Sequence, residues 1–302
     1  IGLEIQPPHV NCSMYAFTVA GERAIRYGLG AIKGVGAGAV EALILERDAR
    51  GAFRSLEDLC RRLDLSKVNR RVLEALVRSG SLDALGANRA TMMSRIDAAM
   101  QLGEQVTRAR EVGQEDFFGL GVAVRTDPVA LSVPGQPDFS ESVRLAGERE
   151  TLGLYLTGHP INRFLADLPR FVTHRIGDLV SDRPVAAPEG GRAFRGGKPA
   201  TVAGLVTEVR RRGTRVAVVL DDRSGRIEVD FFEDVYRQYR ELIAKDSLLV
   251  IEGQVRFDEF IDGWRLAGRR VTELDRRREE VARRIVIRCA AGSPARATLP
   301  DA

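Results

Sequence analysis

The chain has 302 residues with a net charge of +4, and 44% of its residues are hydrophobic. This size and composition suit two or three compact units with ordinary cores. Its three cysteines are far apart, so neither a disulfide framework nor a zinc site is indicated, and a cytoplasmic location is expected. The sequence has neither a signal peptide nor a long apolar span, so we expect no membrane partner. Its positive balance, supplied mostly by arginine, suits a nucleic-acid partner without requiring one.

The N-terminal third of the chain changes from extended to helical patterns. Residues 1–28 contain three short extended runs, and we interpret them as the end of a preceding domain. The chain begins without methionine, which suggests an excerpt from a longer protein. Residues 29–102 then carry helical periodicity and predict a helical domain made of two hairpins.

A glycine-rich turn opens the first of these hairpins. The run AIKGVGAGAV at residues 31–40 leads from an apolar stretch into a helix-like segment. Glycine permits positive φ and leaves no side chain between the backbone and a ligand, so Gly34, Val35 and Gly36 would direct amides at a phosphate oxygen. Lys33 would pair with the same anion. This layout predicts a helix-hairpin-helix element that binds the DNA backbone; a glycine-rich loop chosen only for its turn is the alternative.

A second helical pair is predicted after this turn. Apolar residues recur at helical spacing over residues 65–76, and Ser55 followed by Asp58 resembles a capping box that starts an intervening helix. Two stacked hairpins would hold a duplex backbone at two points. A solvated helix face is an equally good explanation for about half of the nearby basic residues. These basic residues are Lys67, Arg70, Arg71, Arg78 and Arg89.

Residues 103–140 lack a lasting period and are interpreted as a linker. Within it, a glutamine is followed three and four residues later by aromatic residues, a pattern typical of peptides that dock on DNA sliding clamps. The glutamine would hydrogen-bond in a polar notch, and the two rings would fill an apolar groove. Packing of both rings on the chain's own helices is the alternative. The predicted clamp-binding residues are Gln114, Glu115, Asp116, Phe117 and Phe118.

The C-terminal half of the chain predicts a β-barrel. Residues 141–197 are expected to be a helical connector in which His159 occupies a turn. Five β-rich runs follow from Lys198, with a helical insert over 234–244 between the third and the fourth. This layout predicts a five-stranded OB-fold barrel over 198–275, which would hold single strands by stacking and charge. A protein–protein module is the alternative. Residues 276–302 are interpreted as a charged helix and tail.

The candidate DNA contacts of the barrel are basic and aromatic. Phe231 and Phe232 are expected on opposite faces of one strand because strand side chains alternate, so one belongs to the core and the other would stack on a base. Trp264 is a further candidate, and core packing is the alternative for each aromatic. Asp221 and Asp222 are assigned to a turn rather than to a metal site. The basic candidates, placed in the loop after the first strand, are Arg210, Arg211, Arg212 and Arg215.

Four strings carry a resemblance over nearly the whole chain: YGLGAIKGVG at 27–36, VNRRVLEALVRSG at 68–80, GERETLGLYLTGHPI at 147–161 and LDDRSGRIEV at 220–229. With the order of hairpins, linker motif and barrel, they resemble the C-terminal region of the DNA polymerase III alpha-subunit family, the bacterial replicative polymerases. The predicted fold class is α+β multidomain, with tandem helix-hairpin-helix elements, a linker and a five-stranded OB-fold barrel.

The resemblance implies specific partners. The hairpins would bind duplex DNA, residues 114–118 would bind the beta sliding clamp, and the barrel would lie near the single-stranded template. Residues 1–28 would end a fingers-like domain. The family holds catalytic Mg²⁺ with palm aspartates that this chain lacks, so we expect neither catalysis nor a cofactor here, whereas the parent would be a DNA-directed DNA polymerase. The tau and epsilon subunits would bind through regions outside this chain.

Three other interpretations remain open. A non-enzymatic branch-migration module also joins hairpins to an OB barrel, but it places the barrel first. An error-prone paralogue of the alpha subunit is less favoured, because the chain has a clear clamp motif and a complete set of barrel strands. A pure scaffold would show no salt-dependent DNA binding.

Overall fold

A computed structural model describes residues 3–111, 135–181, 197–213, 215–258 and 262–281. The chain forms two compact units, Ile1–His159 and Pro160–Ala302. The interval 141–197, expected to be one helical connector, is therefore divided between the two units. The predicted clamp-binding residues 114–118 and the tail 282–302 lie outside the described residues.

The first unit begins with a small mixed sheet. Its strands are β1 (Glu4–Gln6), β2 (Thr18–Gly21) and β3 (Ala24–Arg26), in the order β1-β3-β2. β1 pairs with β3 in parallel, and β2 pairs with it in antiparallel fashion. The register places Ile5, Ile25 and Val19 in one row, so their side chains share a face of the sheet.

Five helices follow the sheet in the first unit. They are α1 (Ala37–Arg50), α2 (Leu56–Arg62), α3 (Arg70–Arg78), α4 (Arg89–Glu111) and α5 (Glu141–Leu152). Their apolar sides meet in one core, which includes Leu43 of α1, Leu59 of α2 and Leu73 of α3. In the part of the chain that the structure describes, no helix is both long and apolar enough to cross a bilayer.

Side-chain caps set where several of these helices begin, as α2 and α3 show. The Ser55 hydroxyl accepts a hydrogen bond from the Asp58 amide at 3.1 Å, which confirms the predicted cap of α2. The Asp58 carboxylate accepts from the Arg54 amide at 3.0 Å, one residue before the position that a capping box uses. Asn69 caps α3 by accepting from the Val72 amide at 3.2 Å.

A buried ion pair fastens α5 to the hairpins. The Arg89 guanidinium donates to Glu148 at 3.0 Å, and their side chains are only 4% and 1% exposed. Arg89 also donates to both carboxylate oxygens of Asp83, while Glu148 accepts from the amides of Leu156 and Thr157. Because burial penalises a charge that lacks partners, these hydrogen bonds are what make the pair tolerable inside the unit.

The second unit is a closed five-stranded barrel, which confirms the predicted OB fold. The strands are β4 (Lys198–Arg212), β5 (Arg215–Asp221), β6 (Arg226–Phe232), β7 (Leu248–Asp258) and β8 (Gly263–Glu273). Their order around the barrel is β4-β5-β6-β8-β7, with β6 and β8 parallel and the other pairs antiparallel. Valine, isoleucine, leucine and phenylalanine side chains that alternate inward fill the interior.

Three short helices accompany the barrel. α6 (Ile176–Ser181) precedes it, α7 (Glu233–Tyr239) lies between β6 and β7, and α8 (Leu274–Val281) follows β8. α7 occupies the position of the predicted insert but ends five residues earlier, since Ala244 and its neighbours form turns before β7.

A buried aspartate joins α6 to the turn between β5 and β6. Asp222 accepts from Arg175 at 2.8 Å and from the Ile176 amide at 3.0 Å. Its other oxygen accepts from the amides of Ser224 and Gly225. Burial disfavours the charged form, but the hydrogen bonds from Ser224 and Arg175 outweigh it and hold the pKa of Asp222 below its ordinary value. The turn assignment of Asp222 is confirmed.

The Glu148→Gln variant tests how much the buried pair stabilises the first unit. We expect the free energy of unfolding to fall by about 3 kcal/mol, because the substitution removes the buried carboxylate charge that Arg89 and the amides of Leu156 and Thr157 share. Urea unfolding followed by circular dichroism measures the change. Glu104→Gln is the control, since that carboxylate is half exposed and pairs with the exposed Arg108 at 3.6 Å; it should change stability by less than about 0.5 kcal/mol.

The same variant has a defined pH dependence. Burial raises the pKa of Glu148, but hydrogen bonds from Thr157, Leu156 and Arg89 outweigh it, so the folded-state pKa lies below the ordinary 4.5. A carboxylate of this kind stabilises the fold above its unfolded pKa and loses that contribution as pH falls through the folded value. The stability difference between wild type and Glu148→Gln should therefore narrow below about pH 4.5. A difference that stays constant there would show that the carboxylate charge is not the cause.

Candidate nucleic-acid interface

The predicted glycine turn opens α1, as the sequence indicates. Gly34 has φ +95°, a left-handed conformation that glycine adopts without strain. Gly36 is the N-cap of α1 with φ −77° and ψ 161°. Between them, Val35 is 7% exposed and packs into the core. The two glycines face solvent while Val35 anchors the turn, so Val35 contributes to this surface through its position rather than through its side chain.

Fewer amides are open at this turn than the sequence predicts. The Lys33 amide donates to the Thr151 carbonyl of α5 at 2.8 Å, and the Val35 amide donates to the Ile32 carbonyl at 3.1 Å. Both are thus committed within the protein. At the start of α1, the amides of Ala37 and Gly38 lie ahead of the intrahelical ladder, and the positive end of the helix dipole lies with them. The anion-binding potential of the turn resides in Gly36 and this first helical turn.

Of the adjacent arginines Arg70 and Arg71, only Arg71 lies beside the glycine turn. Arg71 lines a groove of about 170 Å³ together with Lys33 and Gly34. Arg70 points elsewhere, because a residue is rotated by about 100° from its neighbour in a helix; it binds Glu74 at 2.9 Å and also pairs with Asp97. The sequence assigned both arginines to DNA, whereas the structure brings only Arg71 to the glycine turn.

The same groove contains residues that the sequence analysis did not assign to the site. Arg78, two turns after Arg71 on α3, lines it together with Glu150 and Thr151 of α5. Arg78 and Glu150 form an ion pair at 2.6 Å. The sequence analysis named Arg78 as a basic residue of the second hairpin, and the string at 147–161 carried the family resemblance, but neither revealed that α5 packs beside the turn.

The second hairpin has a closed turn. Gly80, between α3 and α4, has φ +79°, and a Cβ there would lie 2.2 Å from the guanidinium of Arg89. Arg89 is 3% exposed and is held by Asp83 and Glu148. An internal arginine thus already occupies the second turn, so the first turn is the more open of the two, and duplex binding at two points stays a prediction.

The basic candidates of the barrel lie mostly on a strand rather than in a loop. Arg210 and Arg211 belong to β4 and pair in register with Ala217 and Val216 of β5. Arg212 is the last residue of β4, opposite Arg215. The placement of these arginines in a loop is wrong, since β4 runs on to the hairpin turn and successive side chains alternate between its faces.

Aromatic rings accompany two of these arginines. The Arg215 guanidinium lies 5.0 Å from the centre of the Phe232 ring, and that of Arg211 lies 5.5 Å from the Tyr236 ring of α7. Such cation–π pairs hold an arginine flat on a ring and leave its edge free to donate. Arg210 instead pairs with Glu208. The sequence analysis did not single out Tyr236.

The two adjacent phenylalanines divide as predicted. Phe231 is fully buried, and its ring lies so close to Gly268 that a Cβ there would approach it to 2.3 Å. Phe232 is 56% exposed. Trp264 is half-buried and meets the Phe257 ring edge-on, with 5.3 Å between ring centres, so its contacts are those of a packed side chain.

Acidic side chains lie further along β6 on the same outward side as Phe232, because residues two apart in a strand share a face. Arg265 of β8 lies 3.1 Å from Glu228, 3.2 Å from Asp230 and 3.2 Å from Asp258. The end of the β4–β5 hairpin instead concentrates four arginines, Arg210, Arg211, Arg212 and Arg215.

Comparisons with known proteins match both units. A helix-hairpin-helix motif family matches residues 2–92, and a family described as an OB-fold nucleic acid binding domain matches residues 200–272. DNA polymerase III subunit alpha of Escherichia coli strain K12 is 43% identical over 293 residues, which covers 95% of this chain and 24% of that protein. The protein of the same name from Vibrio cholerae is 42% identical over 292 residues, with the same coverage. The chain thus spans about a quarter of the length of these relatives.

Proposed function

Because the chain belongs to the DNA polymerase III alpha-subunit family and carries its helix-hairpin-helix and OB-fold domains, we propose that it is the DNA-holding portion of such a subunit. In this proposal the first hairpin grips the backbone of duplex DNA. The observation that carries it is the convergence of Lys33, Arg71 and the exposed glycine turn on one groove at the start of α1. This combination of cations and free amides suits a phosphate and reads no base.

The parent subunit, in this proposal, is a DNA-directed DNA polymerase whose Mg²⁺-dependent nucleotidyl transfer is carried out by parts outside this chain. Within the described residues, no group of three histidine, cysteine or acidic side chains is arranged to hold a metal ion. In this proposal, this chain keeps the polymerase on its template. Such a role needs electrostatic contacts with DNA and a tether, and it needs no reacting side chain.

Duplex binding is tested by fluorescence anisotropy across a range of salt concentrations. Gly36→Val should weaken binding about tenfold, because it places a side chain between the α1 amides and a phosphate and removes charge-assisted hydrogen bonds. Gly36 has an ordinary φ and open space around it, so the fold should persist. The matched control is Gly21→Val, where the added Cβ would be exposed and 3.7 Å from Ala24. Equal affinity of the two variants would remove the turn from the site.

The adjacent arginines supply a second control for duplex binding. Arg71→Ala should lower the affinity and flatten the slope of log affinity on log salt by about 1, because it removes one phosphate contact. Arg70→Ala should leave the slope nearly unchanged, since that arginine does not line the groove beside the glycine turn.

We further propose that the barrel holds single-stranded template at the end of the β4–β5 hairpin. Phe232 supports this proposal, because it is an exposed ring beside an arginine on a barrel of the nucleic-acid-binding type. A base stacked on Phe232 would leave Arg215, and Arg212 opposite it in the hairpin, to meet the phosphates.

An Arg215→Ala, Phe232→Ala double variant should reduce single-strand affinity by about tenfold and leave duplex affinity unchanged, because stacking and one phosphate contact are lost together. Anisotropy with a labelled oligothymidine measures the effect. Arg226→Ala is the control: this arginine is exposed at the opposite end of β6 and pairs with Asp221 at 2.7 Å. If the control weakens binding as much as the double variant, the strand does not follow the hairpin end.

The clamp contact is the third part of the proposal. The residues Gln114 to Phe118 would dock on the beta sliding clamp, and the pattern of a glutamine followed by two aromatic residues supports this. Calorimetry with a bacterial clamp should give micromolar or tighter binding that a Phe117→Ala, Phe118→Ala variant loses, because the rings supply the apolar contact area. Phe232→Ala, which removes an exposed ring from the barrel, should bind normally. An intact chain that does not bind the clamp would contradict this part.

A further inference from the structure

Glu150 lies in the groove where, in the proposed function, a DNA phosphate binds. Its carboxylate pairs with Arg78 at 2.6 Å inside the groove that also contains Lys33 and Arg71. We propose that the Glu150 carboxylate takes the place of a DNA phosphate while no DNA is bound. It pairs with Arg78 in the free protein, and this pair breaks when a phosphate binds to Arg78. This inference rests on the proposed duplex contact of the first hairpin and adds Arg78 to it.

The fold fixes Glu150 at this place. Gly147, one turn earlier on α5, lies against α3 so closely that a Cβ would be 3.3 Å from the Arg78 carbonyl. The neighbouring Glu148 is buried in its pair with Arg89. On the other side, the Thr151 carbonyl accepts the Lys33 amide at 2.8 Å. Contacts on both sides thus hold the backbone of Glu150, and only its side chain is left to move.

The Arg78–Glu150 pair is weak enough to exchange. The two side chains are 43% and 59% exposed, and ion pairs as exposed as this contribute only about 0–1 kcal/mol. A backbone phosphate offers arginine a bidentate, charge-assisted contact and releases counterions from DNA as it binds. A phosphate therefore displaces Glu150 from Arg78. Glu150 weakens DNA binding only by the small free energy of the ion pair that is broken.

The other acidic residue of the groove acts differently. Glu74 lines it, but its carboxylate binds Arg70 at 2.9 Å, an arginine that does not line the groove. Glu150 is thus the acid that faces a groove cation directly, and substituting it should release one positive charge toward DNA.

The experiment is anisotropy of a labelled duplex with the Glu150→Gln variant of this 302-residue chain. Affinity at low salt should rise about two- to fivefold, because the variant no longer has to break the exposed pair. The slope of log affinity on log salt should change little, because Arg78 contacts a phosphate in the complex of either protein. Glu104→Gln is the matched control, since it makes the same change in net charge and frees Arg108 from an exposed pair at 3.6 Å in α4. It should change neither quantity.

A double-variant cycle separates exchange from simple repulsion. If Glu150 acts through Arg78, Glu150→Gln should tighten binding only while Arg78 is present, and the gain should vanish in an Arg78→Ala background. An equal gain in both backgrounds would overturn the proposal, because it would mean that Glu150 merely repels DNA. No gain in either background would overturn it as well.

The failure of the exchange proposal is distinguishable from the failure of the proposed function. If the intact chain shows no salt-dependent duplex binding, the hairpin contact itself is wrong. If Gly36→Val and Arg71→Ala weaken binding while Glu150→Gln leaves it unchanged, the contact stands and only the role of Glu150 falls. Circular dichroism should give the same thermal unfolding curve for Glu150→Gln and wild type, since the pair is exposed.

Discussion

The geometry of the first unit depends on the buried pair between Arg89 and Glu148. It closes the turn of the second hairpin from within and fixes α5 against α3. α5 then presents the Thr151 carbonyl to the turn of the first hairpin and Glu150 to the groove beside it. The two hairpin turns are therefore linked. Arg89 fills the turn of the second hairpin, and its pair with Glu148 anchors α5, which in turn packs beside the open turn of the first hairpin. A buried pair of this kind adds little net stability and mainly specifies one arrangement.

Much of the fold could be predicted because it follows from local patterns. Helical spacing identified the hairpins, and five alternating runs identified the barrel, including the inward Phe231 and the outward Phe232. That residues 141–159 belong to the first unit could not be predicted. It is decided by Glu148 and Arg89, which are 59 residues apart in sequence, and no periodicity within either helix reveals a contact at that separation.

Some residues of the candidate site could also be predicted from the sequence, and others could not. Gly34 and Gly36 could be identified because glycines before a helix-like run indicate a turn that opens a helix. Arg70 and Arg71 were not separable, since neighbouring arginines look alike in sequence while helix geometry sends them to different surroundings. The acidic cluster around Arg265 was equally hidden, because strands β6, β7 and β8 assemble it. DNA contact by any of these residues remains a prediction.

The small N-terminal sheet has a consequence for handling the protein. Its row of Ile5, Ile25 and Val19 lies on a face whose apolar side chains meet water, with Val19 83% and Phe17 47% exposed. An amphipathic sheet of this kind lowers its free energy by stacking on another apolar surface, and two copies of the chain offer that surface to each other. We therefore expect copies of the chain to associate through these few strand residues at high protein concentration.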